Sequence, residues 1–280
     1  MASREMLRRV VRHIVLVIGA CACGGGDDGT ATPLDPDVPP ITEGSWFRPD
    51  ASTTWQWQLQ GTPVNASYDV AVYDIDLDTG SPTDLAGRKV LCYFSAGSFE
   101  SFRPIDVPAA AIGEPLDGFP DERWLDIRSP DVHRVMLERL DLARTKGCDG
   151  VEPDNVDAVS NDTGFSLTGT DQLAFNRFLA NAAHERGLAV ALKNDLDQIP
   201  LLIDYVDLAL DEQCHEFDEC ELLAPFPAAN KPAFVAEYEA RFVDDAQQRA
   251  ALCASSIAAN LRTLILPVEL DDRFRFSCDP

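Results

Sequence analysis

Gly150-Val151-Glu152-Pro153-Asp154-Asn155-Val156-Asp157 opens on small and apolar residues and closes on carboxylates and an amide. Read as a strand, it carries its charge towards one end, and strand alternation puts Glu152 and Asp154 on one face. The same polarity recurs on either side of it. Val90-Leu91-Cys92-Tyr93-Phe94 runs into Ser95-Ala96-Gly97, Val190-Ala191-Leu192 into Lys193-Asn194-Asp195, and Leu208-Ala209-Leu210 into Asp211-Glu212-Gln213. Phe234-Val235-Ala236 ends in Glu237-Tyr238, and Leu264-Ile265-Leu266-Pro267-Val268 ends in Glu269. Strands of a parallel sheet are covered on both faces and read apolar almost throughout. When such a sheet closes into a barrel, the carboxyl ends of its strands converge on one rim, where barrel enzymes hold their active sites. Charge also flanks strands wherever loops are solvated, but comparable charge is scarce at the opposite ends of these runs.

Extending the reading along the chain gives eight strand-like runs: Trp55–Gly61, Tyr68–Asp76, Lys89–Gly97, Cys148–Asn155, Leu188–Asp195, Tyr205–Cys214, Pro232–Tyr238 and Leu264–Leu270. Helical patterns over Pro130–Lys146, Thr168–Arg186 and Asp244–Leu261 separate the later ones. In the first helix Val132, Val135, Met136, Leu140 and Leu142 recur at helical spacing. Strands alternating with helices predict an α/β chain folded as a (β/α)8 TIM-like barrel. Only a few residues separate the first two runs, so the early units are expected to be irregular.

The N-terminus reads as a processing segment. Arg4, Arg8, Arg9 and Arg12 precede a short apolar run from Ile14 to Ala20, too short for the ~20 residues that span a bilayer. Ile18-Gly19-Ala20-Cys21 resembles a bacterial lipobox, which implies a signal peptide over 1–20 and lipid on Cys21, with Cys23 as a second candidate. An ordinary signal peptide with an incidental Cys is the plainer reading. Both predict export, the first to the periplasmic or cell-surface side of a bacterial cell membrane through a lipid anchor only. Residues 21–44, rich in Gly, Asp, Pro and Thr, are expected to form a flexible tether, and 45–280 the barrel.

The 280 residues carry 23 basic and 47 acidic side chains, a formal net charge of −24. Removal of residues 1–20 takes away four Arg and one Glu and leaves −27. Such a surface repels phosphate backbones, so no nucleic acid is expected as a partner; a cationic one suits it. Oligomeric state is not legible. Beyond the lipobox region six cysteines remain, an even number suited to disulfides in an oxidising compartment. Cys214 and Cys220 are the best pair, and Cys92–Cys148 with Cys253–Cys278 would complete the set.

Several chemistries lack their parts. The chain has no G-x-S-x-G elbow, no H-E-x-x-H, no phosphate loop and no G-x-G-x-x-G. No metal and no cofactor is expected. Asp74-Ile75-Asp76-Leu77-Asp78-Thr79-Gly80 resembles a calcium loop, but Thr79 stands where the turn glycine belongs and Leu85 where the bidentate Glu belongs. A strand end followed by a turn explains it better, with Asp74 or Asp76 within reach of substrate. His133 and His184 fall on predicted helices, as surface residues. What remains is a rim of carboxylates. Paired carboxylates are the requirement of glycoside hydrolysis: one protonates the leaving oxygen, the other attacks the anomeric carbon or activates water. Crowded like charges in a partly apolar pocket would let one acid keep its proton.

At these residues the chain resembles the endo-α-1,4-polygalactosaminidases of glycoside hydrolase family 114. The resemblance runs through Tyr73–Asp78, Val90–Glu100, Pro120–Ser129, Cys148–Asp157, Leu192–Asp195, Asp211–Cys214 and Glu237-Tyr238, and so covers the whole folded domain. It implies a barrel, endo-cleavage of α-1,4-linked galactosamine polymer, and a cationic amino-sugar polysaccharide as partner. Asp154 and Glu212 match the expected catalytic pair, with the acid and the nucleophile or base unassigned between them. Glu152, Asp157 and Glu237 are reserves. Lys193, Asn194, Gln213 and Tyr238 would orient hydroxyls and the amino group, with Ser95 and Asp195 on the same rim, although Lys193 could instead offset neighbouring acids as an ion pair. Trp55, Trp57, Tyr93 and Phe94 could stack on sugars, but strand aromatics are more often core; Trp124, in what reads as a loop, is the better platform. Relatives have Asn before Glu-Gln-Cys, where this chain has Asp211, a charge expected to raise the pKa of one of the two acids. A non-catalytic carbohydrate-binding surface lipoprotein and a hydrolase of another amino-sugar polymer are the other readings.

Overall fold

The computed structural model describes residues 33–280 apart from 86, 104 and 280. The segment read as a signal peptide, with Cys21 and Cys23, lies outside the described residues. In chain order the strands are β1 (Trp55–Gln58), β2 (Val72–Asp76) and β3 (Lys89–Ser95), then an insert of β4 (Ser98–Glu100), β5 (Ile112–Leu116) and β6 (Phe119–Leu125). β7 (Gly150–Asp154), β8 (Ala189–Lys193), β9 (Leu208–Glu212), β10 (Ala233–Glu237), β11 (Arg262–Ile265) and the short β12 (Phe276–Ser277) follow. The helices are α1 (Pro130–Lys146), α2 (Gly169–Glu185), α3 (Ile199–Leu202), α4 (Cys214–Phe217), α5 (Pro225–Ala228), α6 (Ala240–Asp244) and α7 (Ala246–Ala258).

Eight strands pair in parallel in the order β1-β2-β3-β7-β8-β9-β10-β11, with β12 antiparallel against β11. They correspond to the eight runs read from the sequence, and the fold is an α/β barrel. Among the described residues no strand ladder joins β11 to β1. The seam is bridged instead by the Leu59 and Gln60 amides donating to the Leu270 carbonyl, Arg275 donating to Trp55 O, and the Trp55 indole donating to Arg262 O. As expected, the first units are irregular: β1 and β2 are joined without a helix, and only a 3-10 turn separates β2 from β3.

Alternation sorts the side chains. Trp55, Trp57, Val72, Leu91, Leu208, Leu210, Phe234 and Leu264 fill the barrel interior, with Trp55 stacked on Phe234 at 4.5 Å. Tyr73, Ile75, Val90, Val151, Val190 and Val235 face outward, against the apolar stripe of α1 (Val132, Val135, Met136, Leu140) and Phe175 and Leu179 of α2. α1 begins with Pro130 and ends at Gly147, whose φ of 86° suits a residue without Cβ. α2 begins in a capping box between Thr168 and Asp171. Disulfides join Cys92–Cys148, Cys214–Cys220 and Cys253–Cys278, the three pairs set out above.

Four expectations need correction. Residues 33–44 form no helix or strand but are docked rather than flexible: Asn181 accepts from the Ile41 amide and donates to Pro39 O, Arg177 donates to Pro36 O, and Tyr205 donates to Val38 O. A chain poor in large apolar groups can still be held where a helix face offers polar partners. His184 is buried, stacked at 4.0 Å on Trp46, with Nε2 at 2.9 Å from Asp207. His133 is buried too and donates to Ile127 O. The last parallel strand, β11, ends at Ile265, so Glu269 lies beyond the barrel and pairs with Arg273 at the surface. Finally, the stretch between β3 and α1, read as loop, contains the antiparallel sheet β4-β6-β5. Among the described residues no helix is long and apolar enough to cross a membrane.

Candidate active site

The rim is built by strands that end in unusual backbone. Asn155, Asn194, Asp195 and Gln213 follow β7, β8 and β9 directly, and all four adopt positive φ, between 45° and 69°. Left-handed conformations in non-glycine residues persist where surrounding contacts over-determine them, and they cluster at functional sites. The turn at Asn155 also demands a glycine opposite: a Cβ on Gly97 would lie 1.7 Å from the Asn155 carbonyl oxygen.

Parallel register then aligns the inward positions. Tyr93 pairs with Glu152, Ser95 with Asp154, Lys193 with Leu210 and Ala236 with Glu212. The result is a buried cation shared by three acids. Lys193 Nζ lies 3.0 Å from Glu152 Oε1, 3.1 Å from Asp154 Oδ1 and 3.2 Å from Glu212 Oε2. Of the three contacts, that to Glu152 is a hydrogen bond and those to Asp154 and Glu212 are ion pairs. The Lys193 side chain is 2% exposed, those of Asp154 and Glu212 17% and 30%: the acids reach the opening and the amine does not. Lys193 therefore balances charge, and its burial keeps it back from the opening. Burial alone would lower its pKa, but Asp154, Glu152 and Glu212 outweigh it and hold the amine well above its usual range.

Each half-buried acid has further partners. Asp154 Oδ1 accepts the Asn155 amide at 2.8 Å and Oδ2 accepts the Tyr93 hydroxyl at 3.1 Å. Glu212 accepts a short hydrogen bond from the Tyr238 hydroxyl, and its amide donates to Asn194 Oδ1 at 3.0 Å. Burial first, then Asp154 for Tyr93 and Glu212 for Tyr238, raises both phenols well above their usual pKa, so both remain donors. Beside Asp154, Asn155 Nδ2 donates to Ser95 Oγ, Ser95 and Ser98 hydroxyls meet at 2.6 Å, and Ser98 donates to Glu122. This chain of donors ties the insert to the rim.

The remaining expected residues are spread around this centre. Glu152 and Asp74 are fully buried beneath it. Asp157 is half-buried near Asp154, its pKa raised by burial and then by that charge. Asp195 is buried, accepts from Asn176 at 2.7 Å and is pushed up to about 8 by burial, then Asp157 and Asp197. Glu237 points away from the opening, accepts the His215 amide at 2.8 Å and is raised to about 7, chiefly by burial. Gln213 donates to Glu216. Asp211 is buried on the outer face of β9, and burial, then Glu219 and Glu212, raises its pKa well above normal. Asp76 caps its own turn, accepting from the amides of Asp78 and Thr79, and pairs with Arg103 at 2.5 Å, so it is not free to meet a sugar. Trp124 is corrected outright: it lies within β6, is 6% exposed and packs on Leu116 and Ala158, so it offers no platform. Cys214, His215 and Cys220 lie close enough together to suggest a metal site, but both cysteines are spent in a disulfide.

A family model for glycoside-hydrolase family GH114 matches residues 37–280. The chain belongs to that family. Among solved structures, Ega3 from Aspergillus fumigatus in complex with galactosamine is 40% identical with a TM-score of 0.78, covering 84% of this chain and 99% of that one. The glycoside hydrolase domain of PelA from Pseudomonas aeruginosa shares the fold at 15% identity and a TM-score of 0.59, covering 81% of this chain and 98% of that one. No curated protein matches. The GH114 chain is thus a glycoside hydrolase. Ser98 and Glu122, which complete the rim on the Asp154 side, escaped the sequence reading. Asp117-Gly118, between Leu116 and Phe119, is the two-residue hairpin signal that could have revealed their sheet.

Proposed function

We propose that the enzyme cleaves α-1,4-linked galactosamine polysaccharide internally, with retention of anomeric configuration, using Asp154 as nucleophile and Glu212 as acid and base. The observation that carries this is the shared ammonium. Two oxygens within 3.1 and 3.2 Å of one nitrogen lie no more than about 6.3 Å apart, short of the ~6.5–9.5 Å that leaves room for an inverting water and compatible with the ~5–5.5 Å of retaining enzymes. Asp154 accepts hydrogen bonds from Tyr93, the Asn155 amide and Asn155 Nδ2, whereas the Glu212 carboxylate accepts one from Tyr238, and this fuller set of donors fixes Asp154 in place as the nucleophile. Glu212 gives its proton to the glycosidic oxygen as Asp154 bonds to the anomeric carbon. Water then attacks that carbon, Glu212 takes the water's proton, and the Asp154 ester bond breaks.

Substrate class rests on family membership, on the galactosamine bound by the 40%-identical Ega3, and on charge. A net charge of −24, with Glu122 and Asp157 both near Asp154, favours an ammonium-bearing sugar. Proton NMR of the first reducing ends released from polygalactosamine tests the reading. The α-anomer should appear first, and Asp154→Asn and Glu212→Gln should release nothing; a first-formed β-anomer would exclude a nucleophilic Asp154.

The three disulfides and the arginine-rich, apolar N-terminus support export, with Cys21 carrying the lipid. Cys21→Ala should release the enzyme from membranes, and mass spectrometry of the mature N-terminus should find diacylglyceryl on Cys21.

A further inference from the structure

Asp74 lies on β2 directly below the site and is fully buried. Its two carboxyl oxygens and Glu152 Oε2 have no hydrogen-bond donor among the described groups. The groups that titrate around it are Glu152 and Asp154 of β7 and Lys193 of β8; its partners in register, Trp57 of β1 and Leu91 of β3, carry no charge. The two buried carboxyl groups interact, and the donor that their oxygens otherwise lack can only be a proton that one of them keeps and shares with the other. Glu152 touches the ammonium at 3.0 Å, so the negative charge belongs on it and the proton on Asp74.

We propose that Asp74 is a neutral acid whose proton, donated to Glu152, leaves one negative charge behind Lys193 and holds the ammonium midway between Asp154 and Glu212. This rests on the retaining reading above. In that mechanism Asp154 loses its negative charge as it forms the ester, and Glu212 acquires one as it gives up its proton. Both positions are within 3.2 Å of the same Nζ, so the charge changes carboxylates without leaving its counter-ion. Fixed charges that need no rearrangement during the reaction are the most effective electrostatic catalysts. A second anion at Asp74 would draw the ammonium down and add repulsion to both catalytic acids. Asp74 is thus a positioning residue, acting through Glu152 and Lys193.

The test compares wild type with Asp74→Asn, Glu152→Gln and the double variant on polygalactosamine. An amide at 74 still donates to Glu152 and changes no charge. Asp74→Asn should therefore keep kcat/KM within about threefold and leave the alkaline limb of the pH profile in place. The double variant, which removes the buried negative charge, should move that limb down by about one pH unit or more. A downward shift in Asp74→Asn alone would show that Asp74 is ionised and overturn the proposal. Thermal melting supplies a readout independent of activity. If folded Asp74 holds its proton while the unfolded chain releases it, wild type loses stability relative to Asp74→Asn as pH rises from 5 to 8. A constant difference in Tm across that range would also overturn it. Asp74→Ser, a smaller neutral donor, replaces the amide if Asp74→Asn fails to fold. Wild-type cleavage abolished by Asp154→Asn secures the underlying reading separately; absence of cleavage would sink that reading and leave the melting test to decide the role of Asp74.

Discussion

Tyr93 on β3 and Tyr238 just after β10 stand on opposite flanks of the site, the first donating to Asp154 at 3.1 Å and the second to Glu212. Each of the two acids proposed as catalytic therefore has its own phenol, while both share Lys193. Removing Tyr93 or Tyr238 as Phe should leave the fold intact and reduce kcat by about 10-fold or more, the scale of one hydrogen bond to a charged group. Asp154→Asn and Glu212→Gln should each cost about 10³-fold or more, since each loses a bond-making or proton-transferring group. Steady-state kinetics on polymer with matched circular dichroism would check both, and equal losses in all four variants would contradict the assignment.

Lys193→Met should destabilise the enzyme by about 3–5 kcal/mol at neutral pH, because three acids would lose their common counter-ion. Protonation can relieve that repulsion, so the penalty should shrink as pH falls towards 5. Denaturant unfolding at the two pH values measures the difference.

Asp195 and Glu237 predict the pH dependence of stability. Their folded pKa values of about 8 and about 7 lie above those of an unfolded carboxyl, so between pH ~4 and those values the native state binds more protons than the unfolded one. Stability from these groups is present below the unfolded pKa and falls as pH rises towards 7–8. Asp195→Asn should flatten the decline and raise Tm at pH 8 more than at pH 5. A Tm difference that does not vary with pH would contradict this.

The disulfides should divide stability from activity. Cys92–Cys148 spans 56 residues and Cys214–Cys220 only six, so chain entropy assigns about 4 and about 2 kcal/mol respectively. The short loop, however, follows Glu212 immediately and is held by Glu237 through the His215 amide. Removing Cys214–Cys220 by paired Ala substitutions should lower activity more than stability, and removing Cys92–Cys148 the reverse.

Much of the rim was legible because strand polarity is local: an apolar run ending in Asp154 or Glu212 shows where each strand stops. Trp124 was misread because its neighbours Asp121, Glu122 and Arg123 look like a solvated loop, whereas they are the alternating residues of an antiparallel strand in an inserted sheet. His184 was misread for a related reason. It lies near the end of α2, but Trp46 and Asp207, distant in sequence, close over it.

By itself the sequence determined the eight parallel strands, their order, and the end of each that bears charge, since alternation, apolar content and turn residues act over a few positions. Only the tertiary structure decided what the charges do. The sequence left Lys193 equally a sugar ligand or a buried counter-ion, and it left Asp154 and Glu212 without roles. Ladder register resolves the place of Lys193: Tyr93 beside Glu152, and Lys193 beside Leu210, bring three acids onto one ammonium. A slip of one residue would turn every one of those side chains to the other face, and pairing across strands is set by packing of the whole barrel.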